Sequence, residues 1–465
     1  MNDGFFIDIG MEKTIAAICT APGAAGISIV RISGTRALEL AAALCPNQKL
    51  KKDQGGSFFY STLRSAKSGE LIDEAIILVY RAPHSYTGED TVELQVHGGH
   101  VSSQKILNEL LSLGAVAASA GEFTCRAFLN GRLDLSRAEA VLDIINAQSE
   151  RAGKIAAEQL KGSLGKKIDE YYSLIMDICA DVEATLDFMD DETSGLLEPV
   201  NVAERLMQFI EAVRTLASTW HNGKLLREGA LLVLSGVPNA GKSTLFNALL
   251  GHERAIVTDI PGTTRDSIEE QLIIDGIPVR LADTAGLRET EHAIEQLGIT
   301  RTKELAQAAD ICLAVIDGTQ PLEPQLKHLQ TPNIVVLNKA DAISNERLDE
   351  LTKELALRGL IAPIVISAKT EAGIEQLRNQ IATQLQCGTV GNETVAVSER
   401  HHKLLLQAAE AAEQALALYS DGLEDAAVFC AQKLREVAES LAAITGRNYN
   451  ESLLNNVFSK FCIGK

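Results

Sequence analysis

LLVLSGVPNAGKSTLFNALL, residues 231–250, decides the fold of this chain. Leu231 to Leu234 form an apolar run that reads as a buried strand. Gly236 to Ser243 fit the phosphate-loop pattern, and Thr244 to Leu250 read as the helix that follows. Each residue type has a reason. A loop whose amides wrap a diphosphate needs glycine, because a side chain blocks the approach. Lys242 is expected to reach the β and γ phosphates and Ser243 to ligate magnesium, while the helix N-terminus adds its dipole. Asn239, Ala240, Gly241, Lys242, Ser243 and Thr244 are the candidate nucleotide contacts here. The competing reading, a plain glycine turn, is disfavoured by the strand–loop–helix context.

Working outward, four further segments fall in a fixed order. Thr258, Asp259, Ile260, Pro261, Gly262, Thr263 and Thr264 precede Arg265-Asp266, and Thr264 is the candidate switch threonine on magnesium. Asp283, Thr284, Ala285 and Gly286 follow the strand-like run Val279 to Ala282. Asp283 is expected to hold magnesium through water, and the Gly286 amide to sense the γ-phosphate. Asn338, Lys339, Ala340 and Asp341 follow the strand Ile334 to Leu337. The Asp341 carboxylate accepts from both guanine N–H donors, which adenine lacks, so GTP is selected over ATP. Ser367, Ala368 and Lys369 follow Pro363 to Ile366 and fit the loop that backs the guanine. An isolated tetrapeptide of this kind is usually a solvated turn. The whole set, in order and at strand ends, implies a Ras-like GTP-binding domain. One position departs from the small-GTPase pattern: Leu287 stands where a glutamine would orient the attacking water. Glu289, Glu291 and Glu295 are the candidates to replace it, and each alone also reads as part of a solvated acidic helix face.

The 465 residues allow about three domains. Hydrophobic residues make up 46% with a single Trp, which suits a globular chain with an aliphatic core. No apolar run reaches membrane-spanning length, and acidic residues 3, 8 and 12 leave no basic leader, so no signal peptide, no membrane and a cytoplasmic protein are expected. Eight cysteines lie scattered without a CxxC pair, as reduced thiols do. A net charge of −19 excludes a general nucleic-acid binder; RNA contact then requires a local basic surface or a basic partner.

Before the GTPase segment, 13–34 alternates strands with glycine turns. In the strand from Ile27, Ser28, Val30 and Ile32 share one face and Ile27, Ile29 and Arg31 the other; Arg31 is either an edge charge or a ligand anchor. Gly34 to Leu44 and Val101 to Leu113 read as helices, Ile76 to Tyr80 as a strand. Thr91 to Val96 alternates, with Glu93 and Gln95 together. His97-Gly-Gly-His100 reads as a turn into a helix rather than a metal site, for want of further ligands. From Arg126 the period becomes helical: Leu135 to Ile145, Leu160 to Leu186, and Val202 to Trp220. After the GTPase come Ile374 to Leu385 and two more stripes, Leu404 to Leu418 and Ala427 to Ile444. Neither helical segment buries a core alone, so one discontinuous helical domain with an inserted GTPase is expected. The expected divisions are 1–125 (α+β), 126–220 (helical), 221–380 (GTPase) and 381–465 (helical, with the tail). Cys462, near the end, reads either as a buried small apolar residue or as a mobile reactive thiol.

Taken together, VRISG, SYTGEDTVELQVHGG, GEFTCRAFLNGRLDLSRAEA, TDIPGTTRD, DTAGLRET, NKAD and the terminal FCIGK resemble the tRNA-modification GTPase family MnmE, also called TrmE, along the whole chain. FCIGK is the most diagnostic, since a general GTPase has no such tail. The resemblance implies an N-terminal domain that binds a 5-formyl-tetrahydrofolate-type cofactor and forms the homodimer. Arg31, Glu93 and Arg132 would line that site, with Lys465 nearby. The family has Lys where Arg132 stands, so a planar fork replaces a point charge. It further implies GTPase domains that dimerise around potassium, held by Asn239, Thr258, Ile260 and Thr263. Potassium then stands in for an arginine finger. Glu295 matches the glutamate that orients the water, and Cys462 the tail cysteine tied to the modification chemistry. The implied partner is MnmG, an FAD- and NADH-using protein forming a heterotetramer, with which the family installs an aminomethyl or carboxymethylaminomethyl group on carbon 5 of the wobble uridine of certain tRNAs. A ribosome-assembly GTPase switch is the alternative, and it needs neither a folate domain nor FCIGK.

Overall fold

The computed structural model describes residues 12–45, 50, 53–187, 201–251, 269–283, 309–326, 333–358, 360, 362–386, 397–421 and 424–465. The chain begins with β1 (Ile15–Ile18), β2 (Ile27–Ser33), α1 (Ala37–Leu44), β3 (Ser57–Arg64), β4 (Leu71–Tyr80), β5 (Thr91–His97), α2 (His100–Ser112) and β6 (Val116–Ala117). The strands form one sheet in the order β3-β4-β5-β2-β1-β6, antiparallel except for the β1–β6 pair. Alternation sorts its faces. Val30, Ile32, Val92, Leu94 and Val96 join Leu40, Ile106 and Leu110 of the two helices in one core, while Arg31 and Glu93 lie on the opposite face. β3 was not expected. It hairpins with a β4 longer than the expected Ile76 to Tyr80.

Next come α3 (Glu122–Leu129), α4 (Leu135–Asn146), α5 (Glu150–Leu160), α6 (Ser163–Asp187), α7 (Val202–Ser218) and α8 (Trp220–Glu228). The single helix expected from Val202 to Trp220 is two. Thr219 turns its hydroxyl back onto Leu216 O, 2.8 Å, and α8 starts after it.

β7 (Ala230–Ser235), α9 (Lys242–Leu250), β8 (Glu269–Ile274), β9 (Ile277–Asp283), β10 (Ile311–Asp317), α10 (Leu322–Leu326), β11 (Ile334–Asn338), α11 (Asn345–Leu357), β12 (Ile364–Val365) and α12 (Ile374–Gln386) follow. The second sheet has the order β12-β11-β10-β7-β9-β8, parallel except for the β8–β9 hairpin. Strands β7, β10 and β11 are buried throughout, which is why they read as continuous apolar runs. After β7 the chain builds β8 and β9 on one side and then crosses to β10 on the other. Such a switch point opens a crevice at the carboxyl ends of the strands.

The chain closes with α13 (Glu399–Asp421), α14 (Glu424–Thr445) and α15 (Glu451–Phe458). α6 packs along α14 although the whole GTPase segment lies between them in sequence. Glu183–Arg435 (2.7 Å) ties the two helices, and Asp169–Arg447 (2.8 Å) ties α6 to the turn just after α14. The helical domain is therefore discontinuous. Two compact units result: Met1–Leu142 with Gln159–Phe209 and Gln407–Lys465, and Asp143–Glu158 with Ile210–Leu406.

Candidate functional site

β7 delivers the phosphate loop to the crevice. Gly236 (φ 151°) has no room for a Cβ against Val315 O, and Gly241 (φ 91°) none against the Asn338 amide. Gly241 is also the N-cap of α9, so any side chain there would both clash and strain the backbone. Asn239 takes the left-handed φ of 63°. Lys242, 6% exposed, folds over its own loop and donates Nζ to Gly236 O (3.0 Å) and Val237 O (2.9 Å). Ser243 and Thr244 are exposed in the first turn of α9. The ammonium is thus buried and oriented, while Ser243 and Thr244 are exposed residues at a helix N-terminus, where anions bind.

The other loops interlock with this one. Asn338, 2% exposed, donates Nδ2–H to Ala240 O (2.9 Å) and accepts from Ala368 N (3.0 Å). One side chain therefore sets the spacing between the phosphate loop and the loop at Ser367 to Lys369. Ser367 donates its hydroxyl to Asp341 Oδ1 at 2.6 Å, fixing that exposed carboxylate, and Lys369 is exposed beside it. Ala340 N–H donates to Ile366 O, 3.1 Å. Asp283 ends β9 in register with Leu234; its backbone alone is described. Thr258, Asp259, Ile260, Pro261, Gly262, Thr263, Thr264, Thr284, Ala285, Gly286, Leu287, Glu289, Glu291 and Glu295 lie outside the described residues.

Sequence reasoning passed over Asp317. It ends β10 opposite Asn338 and pairs with Lys339, Nζ to Oδ2 2.7 Å. Burial pushes its carboxyl up, but the donors from Lys339 and Thr319 outweigh this and hold it below the usual carboxylate range. The signal was an acid closing an apolar strand, directly before Gly318.

A second cluster lies on the open face of the first sheet. Arg31 and Glu93 face each other across β2 and β5, with Nε–Oε1 at 2.9 Å and side chains 15% and 14% exposed. The guanidinium stands 5.2 Å from the Tyr86 ring and 5.4 Å from the Phe123 ring. Burial pushes the neighbouring Cys19 thiol up; Arg31 and Lys465 act against this and Glu93 with it. The tail reaches this place by backbone contacts. Gly121 N–H donates to Cys462 O (3.4 Å), Phe123 N–H to Lys465 O (3.2 Å), and Ile463 bridges Ala120. Phe461 is buried, whereas the Cys462 thiol is exposed on this fixed backbone, so neither expected reading of the cysteine holds in full. Arg132 is exposed with its stem near Gly88, and among the described contacts none joins it to the Arg31–Glu93 pair. Beneath the cluster, Arg126 is 1% exposed and donates to Glu122 (2.8 Å), Glu89 (3.1 Å) and Lys13 O (2.9 Å), pinning the 85–90 loop to α3. His97 ends β5 and pairs with Asp73 at 2.7 Å, and His100 opens α2, as a turn into a helix requires. Among the described residues no group of three or more His, Cys, Asp or Glu could hold a metal.

Two family models match this chain: "MnmE helical domain" over residues 135–462 and "GTP-binding protein TrmE N-terminus" over 14–132. The tRNA modification GTPase MnmE of Clostridioides difficile (strain 630) is 38% identical over 467 residues, covering 98% of this chain and 100% of its own. The chain belongs to the MnmE family of tRNA modification GTPases. Other MnmE proteins agree. That of Geobacillus thermodenitrificans is 40% identical (97% of this chain, 99% of its own). That of Caldicellulosiruptor saccharolyticus is 39% identical with the same coverage. As an MnmE-family member the chain is a GTPase acting in tRNA modification, built from an N-terminal α+β domain, a split helical domain and an inserted Ras-like domain. Among the described residues no helix is long and apolar enough to cross a membrane.

Proposed function

We propose that this MnmE-family chain acts as a cytoplasmic homodimer with MnmG, in a heterotetramer, to add an aminomethyl or carboxymethylaminomethyl group at carbon 5 of the tRNA wobble uridine. GTP hydrolysis drives the cycle. Residues 239–244 and Lys242 hold the phosphates, Asp341 reads the guanine, and Asn338, Lys339 and Ser367 to Lys369 support it. Ser243 and Thr264 would hold magnesium, with Asp283 acting through water. Asn239, Thr258, Ile260 and Thr263 would hold potassium. The described members suit these ions: Ser243 is an exposed residue at a helix N-terminus and Asn239 an exposed residue of the loop, and both carry oxygen ligands. Bound potassium supplies positive charge at the transferring phosphoryl. Leu287 has no group to orient water, so Glu295 takes that role.

Arg31, Glu93 and Lys465, with Arg132 at the neighbouring loop, would hold the folate. The residues suit a flat heterocycle with N–H donors and a carboxylate tail: an acceptor, three cations and aromatic rings at Tyr86 and Phe123. Bound 5-formyl-tetrahydrofolate supplies a one-carbon unit. Cys462 presents a thiol from the adjoining tail. The docked tail carries this reading, because a plain GTPase switch has no use for a terminal segment fixed beside an Arg–Glu pair. Arg31→Ala is expected to weaken 5-formyl-tetrahydrofolate binding by at least about tenfold in calorimetric titration. Unchanged binding would remove the folate assignment and favour the ribosome-assembly alternative.

A further inference from the structure

We propose that Asp317 is a positioning residue for guanine-nucleotide binding, holding the Lys339 side chain in its binding geometry before the nucleotide arrives. The inference rests on the reading of residues 338–341 as the guanine site. Lys339 has a left-handed φ of 65°, unfavourable for a residue with a Cβ. Its chain has four rotatable bonds, and ordering it only at binding would weaken affinity. Asp317 removes that freedom. Its carboxylate is divided between two tasks: Oδ2 takes the Lys339 ammonium at 2.7 Å, and Oδ1 accepts from Thr319 N–H (2.9 Å) and Oγ1–H (2.6 Å). The backbone of Asp317 is gripped in turn. Gln325, 3% exposed, accepts from Asp317 N–H (2.8 Å) and donates to Asp317 O (3.0 Å). Gly318 N–H donates to Asn338 O at 3.0 Å, locking the ends of β10 and β11 side by side. With Asp317 only 5% exposed and Lys339 35% exposed, the acid is the fixed member and the lysine the one presented at the loop.

GDP affinity measured on the full chain by fluorescence titration, as a double-mutant cycle, tests this. Asp317→Asn keeps an acceptor for Thr319 and removes the negative charge that faces the Lys339 ammonium. It is expected to weaken GDP about tenfold in the native background and less than about twofold in a Lys339→Ala background. It should weaken inosine diphosphate by the same factor, since the exocyclic amine belongs to Asp341. Equal losses in both backgrounds, or no loss in either, would overturn the proposal. If the native chain itself does not bind GDP, the reading of the site fails before Asp317 is tested. Should Asp317→Asn not fold, Thr319→Val removes the hydroxyl donor to Oδ1, leaves the backbone N–H donor, and is expected to weaken GDP about threefold by loosening the carboxylate. An unchanged affinity for that variant contradicts the role equally.

Discussion

Asn338 joins two loops that are distant in sequence, and both of its amide atoms are used for it. Asn338→Ala leaves Ala240 O and Ala368 N–H buried without partners. At 1–3 kcal/mol for each of the two buried orphans the variant should lose about 2–6 kcal/mol. For a domain of this size that lowers the melting temperature by roughly 4–24 °C, and GDP binding should fall with it. A melting curve superimposable on that of the native chain would show that the loops are held by something else. Asp73 and His97 make a second residue-scale prediction. The hydrogen bond to Asp73 and its charge raise the His97 pKa above 6.5. Stability from the imidazolium is thus complete below the unfolded pKa and lost as pH rises through the raised folded one. Asp73 is pushed up by burial, but its donors, His97 foremost, leave it net below 3.8, so its contribution is present above the unfolded pKa and lost as pH falls through the folded one. The contact is strongest between the two. In an NMR titration Asp73→Asn should return His97 toward 6.5, and an unmoved His97 would refute the pairing. Neither Asp73–His97 nor Asp317–Lys339 could be read from the chain, because each needs the register of neighbouring strands. The NKAD and phosphate-loop residues could be read, because their chemistry is local and their spacing fixed.

At the scale of elements, the tail is held mainly by backbone. Gly464 has φ 96°, and a Cβ there would lie 2.6 Å from Ile18 O and 2.9 Å from Cys19 Cα. Gly464→Ala should release the tail while leaving the two sheets intact. Amide hydrogen exchange at Gly121 and Phe123 should then speed up about tenfold or more, and unchanged protection would mean that buried Phe461 alone suffices. Among the elements that escaped the sequence, β3 and α15 did so for physical reasons. β3 is an edge strand with Phe58 and Tyr60 exposed (74% and 69%), so its apolar residues fall on both faces and hide the alternation. α15 is too short for a convincing stripe, with Leu454, Val457 and Phe458 buried. Its N-cap, Asn450 accepting from Leu453 N–H at 2.8 Å, was the readable signal. The helix breaks at Thr219 and Gly162 depend on local turns that periodicity smooths over.

For the whole molecule, the order of motifs already implied an α+β start, an inserted Ras-like domain and a helical domain in two pieces, because each switch of hydrophobic period is visible along the chain. The pairing of α6 with α14 could only be argued from insufficient core in either half; Glu183–Arg435 supplies a contact between them and Asp169–Arg447 one just after α14. The Arg126–Glu89–Glu122 network was beyond reach, since its members come from separate motifs whose meeting depends on the fold. The proposal at this scale is that a GTPase with Leu287 in place of the usual glutamine would draw its activation from a cation and a dimer. The most direct test is GTP turnover by the full-length protein in potassium against sodium buffer at equal ionic strength. The account predicts turnover at least about tenfold faster in potassium, rising with protein concentration. Equal slow rates in the two buffers would contradict it.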